Sequence, residues 1–295
     1  MIKSRKDCAI LLYANLLGEM MEVTSFDGLS INYSVHRASE FFLFFVHGVG
    51  GDLTAWDQER AFFEERGLST VALDQRGHGL SGRPQHMSDY DLDLFARDIK
   101  AVLDEERIDR FILIGHSFGG MVCINFHKLF PNLAKAYILI DTSFKSPPNF
   151  TAFSRHPYLT HLLNFLLEHE KLRKKCFSHV APGRFSRTKD LDLARIFSDI
   201  AHTTLKSWIF TYEHISSFQG LDIIKSITQP VLIIEGEEDS VIPPQYAQLM
   251  HSYIKSSELE IVPGANHIIV LNNIDVLEED ICKYLQNVRG FVGLP

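Results

Sequence analysis

The stretch Phe-Ile-Leu-Ile-Gly-His-Ser-Phe-Gly-Gly-Met, residues 111–121, holds a serine that could do chemistry. Four bulky apolar residues run into Gly115, and after Ser117 comes Phe118, a Gly119-Gly120 pair and an apolar stretch with a helical pattern. A serine at a sharp strand-to-helix turn sits in a strained backbone, and bulky side chains two positions away would collide; glycine at 115 and 119 relieves the crowding. The helix that follows aims its positive end at the reacting centre. The same five residues also suit an ordinary glycine-rich turn with a surface serine, so the rest of the chain must supply a base and an acid. His267, one of 14 histidines, follows "LEIVPGAN". Asp239 lies in "VLIIEGEEDSVIP" among Glu235, Glu237 and Glu238, and Asp141 closes "YILID". Each follows a buried-looking apolar run, so serine, acid and histidine emerge in that order.

The apolar runs are the elements that must position them. "EVTSF" and "LSINYSV" flank Asp27-Gly28, a hairpin signal. "EFFLFFVHG", "STVALD", "FILIG", "AYILID", "PVLIIEG" and "LEIVPG" are continuous rather than alternating, as strands buried on both faces are. Helical patterns fall between them near 54–65, 90–106, 118–130, 243–255 and 274–288. This alternation predicts an α/β fold with a mostly parallel sheet flanked by helices, whose right-handed crossovers gather the loops at the strands' carboxyl ends. The interval 143–229 lacks a convincing strand but carries "HLLNFLLEHEKL", "LDLARIFSDI" and "SWIFTYEHISSF". A structureless loop of that length is implausible, so a helical cap over the loop edge is expected, with "KLRKKC" as a solvated helix face. The organisation read is an N-terminal extension over 1–21, a core of 22–142 and 230–295, and a cap over 143–229.

The totals exclude several classes. With 29 Lys+Arg against 37 Asp+Glu, a formal charge of −8 and no basic stripe, nucleic acid is not an expected partner. Cys8, Cys123, Cys176 and Cys282 are scattered without a CxxC pair, which suggests neither a disulfide framework nor a zinc site, but reduced thiols in the cytoplasm. No run approaches the roughly 18 apolar residues of a membrane helix, so no stable membrane insertion is expected. The opening "MIKSRKDCAILLYANLLGEMM" imitates a signal peptide, yet Asp7, Asn15 and Glu19 interrupt it and no small-x-small cleavage site follows. It reads as an amphipathic helix, or as a chain start set too early, upstream of Met20 or Met21.

Taken in order, "HGVGG", "DQRGHGLS", "GHSFGG", "GEEDSVIP" and "GANH" resemble the α/β-hydrolase superfamily, in particular its serine members with a helical cap, the carboxylesterases and lactonases. The resemblance covers about residues 22–288. It implies Ser117 as nucleophile, His267 as base and Asp239 as the acid that orients the imidazole. Among the acidic rivals it selects Asp239, three residues after Gly236 and four before Pro243, although some members draw the acid from the strand end where Asp141 stands. It implies an oxyanion hole made by the backbone N–H groups of Val49, in the loop after "FFLFFVHG", and Phe118. His47 is expected to brace that loop, and Asp74, Arg76 and His78 to brace the "DQRGHG" loop; Trp56 and the Phe118 ring fit either the pocket mouth or the core.

A serine at the elbow argues against epoxide hydrolases and haloalkane dehalogenases, which the resemblance gives an aspartate there. What it implies is a hydrolase of a carboxylic ester, lactone or thioester with a small to medium apolar acyl group, working through an acyl-enzyme without a cofactor or metal. A carbon–carbon hydrolase of meta-cleavage type shares the fold and cap, though its members usually carry a different oxyanion loop and elbow. A hydrolase-fold receptor with little turnover is a third reading, and the full set of reacting side chains argues against it. Oligomeric state is open at this level.

Overall fold

The computed structural model describes residues 20–147, 164–169, 179 and 185–288. Most of the extension, Cys8, Cys176 and the "KLRKKC" run lie outside the described residues. Eight strands form one sheet in the order β1-β2-β4-β3-β5-β6-β7-β8. They are β1 (Met20–Thr24), β2 (Ser30–His36), β3 (Phe42–Val46), β4 (Ser69–Leu73), β5 (Phe111–His116), β6 (Ala136–Ile140), β7 (Val231–Gly236) and β8 (Ser257–Val262). The β1–β2 and β2–β4 pairs are antiparallel and the pairings from β4 through β8 are parallel. Gly28, at φ 86°, closes the β1–β2 turn with its N–H on the Ser25 carbonyl at 2.9 Å. The sheet begins at Met20, inside the stretch read as an extension, because Met20 and Met21 pair with Ser34 and Tyr33.

Every residue of β3, β4, β5, β6 and β7 is buried, which explains their unbroken apolar sequences. Period-two geometry splits each strand between two cores. Phe44 and Leu113 face the helices α2 (Leu92–Glu105) and α3 (Phe118–Leu129), packing with Phe95, Ile99 and Phe126. Phe45 and Ile114 face α1 (Asp57–Glu64) and α9 (Ile274–Asn287), packing with Phe63, Leu277 and Ile281. Each such fully buried side chain stabilises the fold by about 1.5–3 kcal/mol. The last strand, β8, alternates and shows Glu258 and Glu260 to solvent, as an edge that must not pair with another chain should. Among the described residues no helix is long and apolar enough to cross a membrane.

The described part of 143–229 carries helices over residues 164–169, α4 (Leu193–Thr203), α5 (Leu205–Ser217) and α6 (Leu221–Ser226). Helix α5 sends Ile209, Phe210 and Ile215 into the α2–α3 core, and the Tyr90 hydroxyl meets the Ser207 hydroxyl at 2.8 Å. Arg83 clamps the α4–α5 junction, donating to the carbonyls of Thr203 at 3.1 Å and His202 at 2.9 Å. The remaining helices are α7 (Gln245–Tyr253) and α8 (Ile269–Asn272).

Candidate active site

Ser117 lies between the end of β5 and the first turn of α3, with φ 54° and ψ −120°. A non-glycine residue there is strained, and its surroundings hold it. The Ser117 N–H donates to the Ile140 carbonyl at 2.9 Å, and the Thr142 hydroxyl donates to the Ser117 carbonyl at 2.6 Å. A Cβ on Gly119 would lie 2.2 Å from the Val46 carbonyl oxygen, and one on Gly115 would lie 2.5 Å from that of Gly119. The helix can therefore begin this close to β3 only with glycine. Gly119→Ala is expected to cost at least about 1–3 kcal/mol through forced overpacking. A thermal melt of Gly119→Ala beside the unsubstituted chain checks this; equal melting temperatures would contradict it.

The other two side chains arrive from the loops after β7 and β8. His267 Nε2 lies 2.9 Å from Ser117 Oγ, and His267 Nδ1 lies 2.6 Å from Asp239 Oδ2. All three residues are buried, with Ser117 6% exposed, so the chain of hydrogen bonds is shielded from bulk water. Asp239 is fixed by its other oxygen, Oδ1, which accepts the N–H groups of Val241 at 2.7 Å and Ile242 at 2.8 Å. An imidazole held this way can take the serine proton at Nε2 while the carboxylate fixes Nδ1–H.

Two of the rival acids lie away from His267 and two lie close by. Glu237 accepts the Gly264 N–H at 3.0 Å on the surface, and Glu238 is exposed. Asp141 accepts the Gly236 N–H at 2.8 Å. The carboxylates of Asp141, Glu235 and Asp239 have oxygens within 4.8 Å of one another. Burial, with the neighbouring charges adding, pushes the Asp141 carboxyl well above the usual range and the Glu235 carboxyl up to about 12. A second grouping, His116, Asp141 and His267, has the same compactness, but both His267 nitrogens are already engaged by Ser117 and Asp239. Burial lowers the His116 imidazole to about 3, leaving it neutral; its Nε2 lies 2.9 Å from the His267 carbonyl.

The loop after β3 comes against the serine: a Cβ on Gly48 would lie 3.3 Å from the Ser117 Cβ. Val49 and Ser117 line the same cavity, and the Phe118 N–H belongs to the first turn of α3, whose amides have no partner within the helix. His47 braces the loop, its Nε2 accepting the Gln75 N–H at 3.1 Å. In the neighbouring loop Asp74 accepts the N–H groups of Leu53 at 2.8 Å and Leu80 at 2.7 Å, and faces His179 Nε2 at 2.8 Å. Arg76 is paired with Asp98, and buried His78 lies with Nδ1 2.9 Å from the Arg76 carbonyl. Trp56 and Phe118 belong to the core rather than the pocket mouth: Trp56 packs on Phe45 with centroids 5.2 Å apart, and Phe118 meets Phe95 edge-on at 5.0 Å.

The cavity above Ser117 has a volume of about 420 Å³. Ser117, His267 and Val49 line one side; Ile196, Trp208 and Tyr212 from α4 and α5 line the other. Trp208 and Tyr212 are neighbours on α5, with ring centroids 3.9 Å apart.

A family model described as the alpha/beta hydrolase fold matches residues 42–274. The chain belongs to the alpha/beta hydrolase family. Among curated members it is 26% identical over 233 residues to protein ABHD8 of Bos taurus, a match covering 78% of this chain and 52% of that protein. The chain thus spans about half the length of the ABHD8 relatives it matches. It is also 26% identical over 287 residues to the bifunctional esterase/perhydrolase DCH of Acinetobacter calcoaceticus, covering 90% of this chain and 99% of that one. An esterase from Exiguobacterium antarcticum superposes with a TM-score of 0.71 at 18% identity, covering 92% of this chain and all of that one.

Three residues of this chain that the sequence did not single out meet at the site. Asp190 accepts the His267 N–H at 2.9 Å with one carboxylate oxygen, and the Ser240 N–H at 2.9 Å with the other. It ties the insertion to both loops that carry His267 and Asp239. Arg195 and Asp199 on α4 line the cavity. No motif marks them, because only the tertiary fold brings them to Ser117; the one local cue is the helical spacing of "LARIFSD".

Proposed function

We propose that this alpha/beta hydrolase is a serine hydrolase that cleaves a carboxylic ester, lactone or thioester of a small to medium acyl group through an acyl-enzyme. One observation carries the reading: the unbroken line Ser117 Oγ, His267, Asp239, with separations of 2.9 and 2.6 Å. In this account Ser117 Oγ attacks the carbonyl carbon as its proton passes to His267 Nε2. The carbonyl oxygen becomes an oxyanion held by the N–H groups of Val49 and Phe118. Collapse expels the alcohol, lactone oxygen or thiol, which takes the proton from His267. Water then repeats the sequence with His267 as base, releasing the acid and restoring Ser117. Asp239 keeps Nδ1–H directed and stabilises the imidazolium between steps.

The apolar part of the substrate is assigned to the side lined by Ile196, Trp208 and Tyr212. In this reading 143–229 acts as the cap that shapes that side, and residues 22–142 with 230–295 form the catalytic core. The free thiols Cys123 and Cys282 support a cytoplasmic setting. An aryl ester with a chromogenic leaving group tests the proposal. Rapid mixing is expected to release a burst approaching one equivalent of chromophore per chain, followed by slower steady turnover. Absence of both burst and turnover across a panel of esters, lactones and thioesters would remove the proposal and favour a ligand-binding role.

A further inference from the structure

The α4 wall of the cavity carries a cation that the ester-cleaving chemistry does not use. Arg195 lines the same cavity as Ser117 and His267 and lies within electrostatic reach of His116. Its side chain is 17% exposed, and its Nη2 donates to the Asp190 main-chain carbonyl at 2.5 Å. Its Nε is buried with no hydrogen-bond acceptor among the described residues. A guanidinium has five N–H donors in a planar fork, and a buried donor without a partner is costly.

The neighbouring acids compensate it only loosely, through an ion pair with Asp199 that is longer than a hydrogen bond. The Asp190 carboxylate is engaged by Ser240 and the His267 N–H. Asp199, one turn along α4, lies 3.6 Å from Nη1, beyond hydrogen-bond length. Burial raises the Asp199 carboxyl to about 7, with Arg195 pulling it down and Asp52 pushing it further up, so near neutral pH much of it is uncharged. Asp199 also packs against the loop after β3, since a Cβ on Gly50 would lie 2.8 Å from the Asp199 Cβ. The arginine is thereby fixed beside the loop that lines the reacting end of the cavity.

We propose that the substrate carries a carboxylate, which the Arg195 guanidinium binds while the scissile carbonyl lies at Ser117. This rests on the ester-hydrolase reading and narrows it to monoesters of dicarboxylic acids, or lactones bearing a carboxylate, with an apolar span between the two ends. Arg195 is then a specificity-determining residue.

The test compares the p-nitrophenyl monoester of adipic acid with p-nitrophenyl hexanoate, which has the same acyl length and no charge. In the wild-type chain the charged ester is expected to have the higher kcat/KM. Arg195→Met should lower the ratio of charged to neutral kcat/KM at least about tenfold, mainly through KM, and Arg195→Lys should recover part of it. An equal loss on both esters would show a structural arginine and overturn the proposal. Titration of monomethyl adipate into the Ser117→Ala chain reads the subsite without turnover. Binding at least about tenfold weaker in Ser117→Ala/Arg195→Met supports the proposal, and equal binding overturns it. Failure to hydrolyse either ester, with Arg195-dependent binding intact, would count against the ester-hydrolase reading alone.

Discussion

Ser117→Ala is expected to lower kcat toward an activated ester by about a millionfold while the chain stays folded. The size follows from the role given to the hydroxyl: without Oγ there is no acyl-enzyme, and His267 and Asp239 have nothing to activate. What survives is the background from bound substrate and backbone oxyanion donors, which elsewhere leaves 10³–10⁴ over water. The fold should tolerate the change, because the backbone bonds that hold the strained turn come from the Ile140 carbonyl and the Thr142 hydroxyl, not from Oγ. Steady-state rates on one ester, with circular dichroism of both chains, check the two halves. A variant retaining more than about one-hundredth of the wild-type rate would mean another group does the chemistry.

Asp98→Ala is expected to cost about 3–5 kcal/mol of folding stability, a large share of the 5–15 kcal/mol typical of a whole domain. Arg76 and Asp98 are both 0% exposed and meet through two parallel bonds, Nε to Oδ2 and Nη2 to Oδ1, each 2.7 Å. Ser25 adds a third bond to Asp98 at 2.6 Å. Removing the carboxylate strands a buried guanidinium with the partly exposed Asp27 at 3.0 Å and the Asp89 carbonyl at 2.9 Å. The cost comes from that uncompensated charge more than from the lost attraction. Urea unfolding should show a lower midpoint with unchanged slope. A loss below about 1 kcal/mol, typical of exposed pairs, would mean water reaches the arginine.

Much of this was legible in the sequence because it depends on local rules. The strands from β3 to β7 announce themselves as apolar runs because both faces are covered. Ser117 is marked by its flanking glycines, whose absent Cβ atoms are a requirement of the turn. Asp239 was less secure among its glutamate neighbours. What distinguishes it physically is the pair of N–H groups from Val241 and Ile242, which no residue type encodes. Trp56 and Phe118 were ambiguous for a related reason: an aromatic ring suits a core and a pocket equally, and only the partner rings decide. Asp190, Arg195 and Asp199 were illegible, since their roles arise from contact with residues far away in the chain. Specificity is set by contacts of this kind, which is why sequence patterns point to a class of chemistry more readily than to a substrate.

The most direct test of the central claim is covalent labelling by a fluorophosphonate, which a serine oxygen captures with loss of fluoride only when a base has activated it. Intact mass followed by peptide mapping should find one phosphonyl group on Ser117. His267→Ala should slow the labelling by several orders of magnitude. An adduct on a different residue, or labelling of Ser117 at the same rate without His267, would contradict the account.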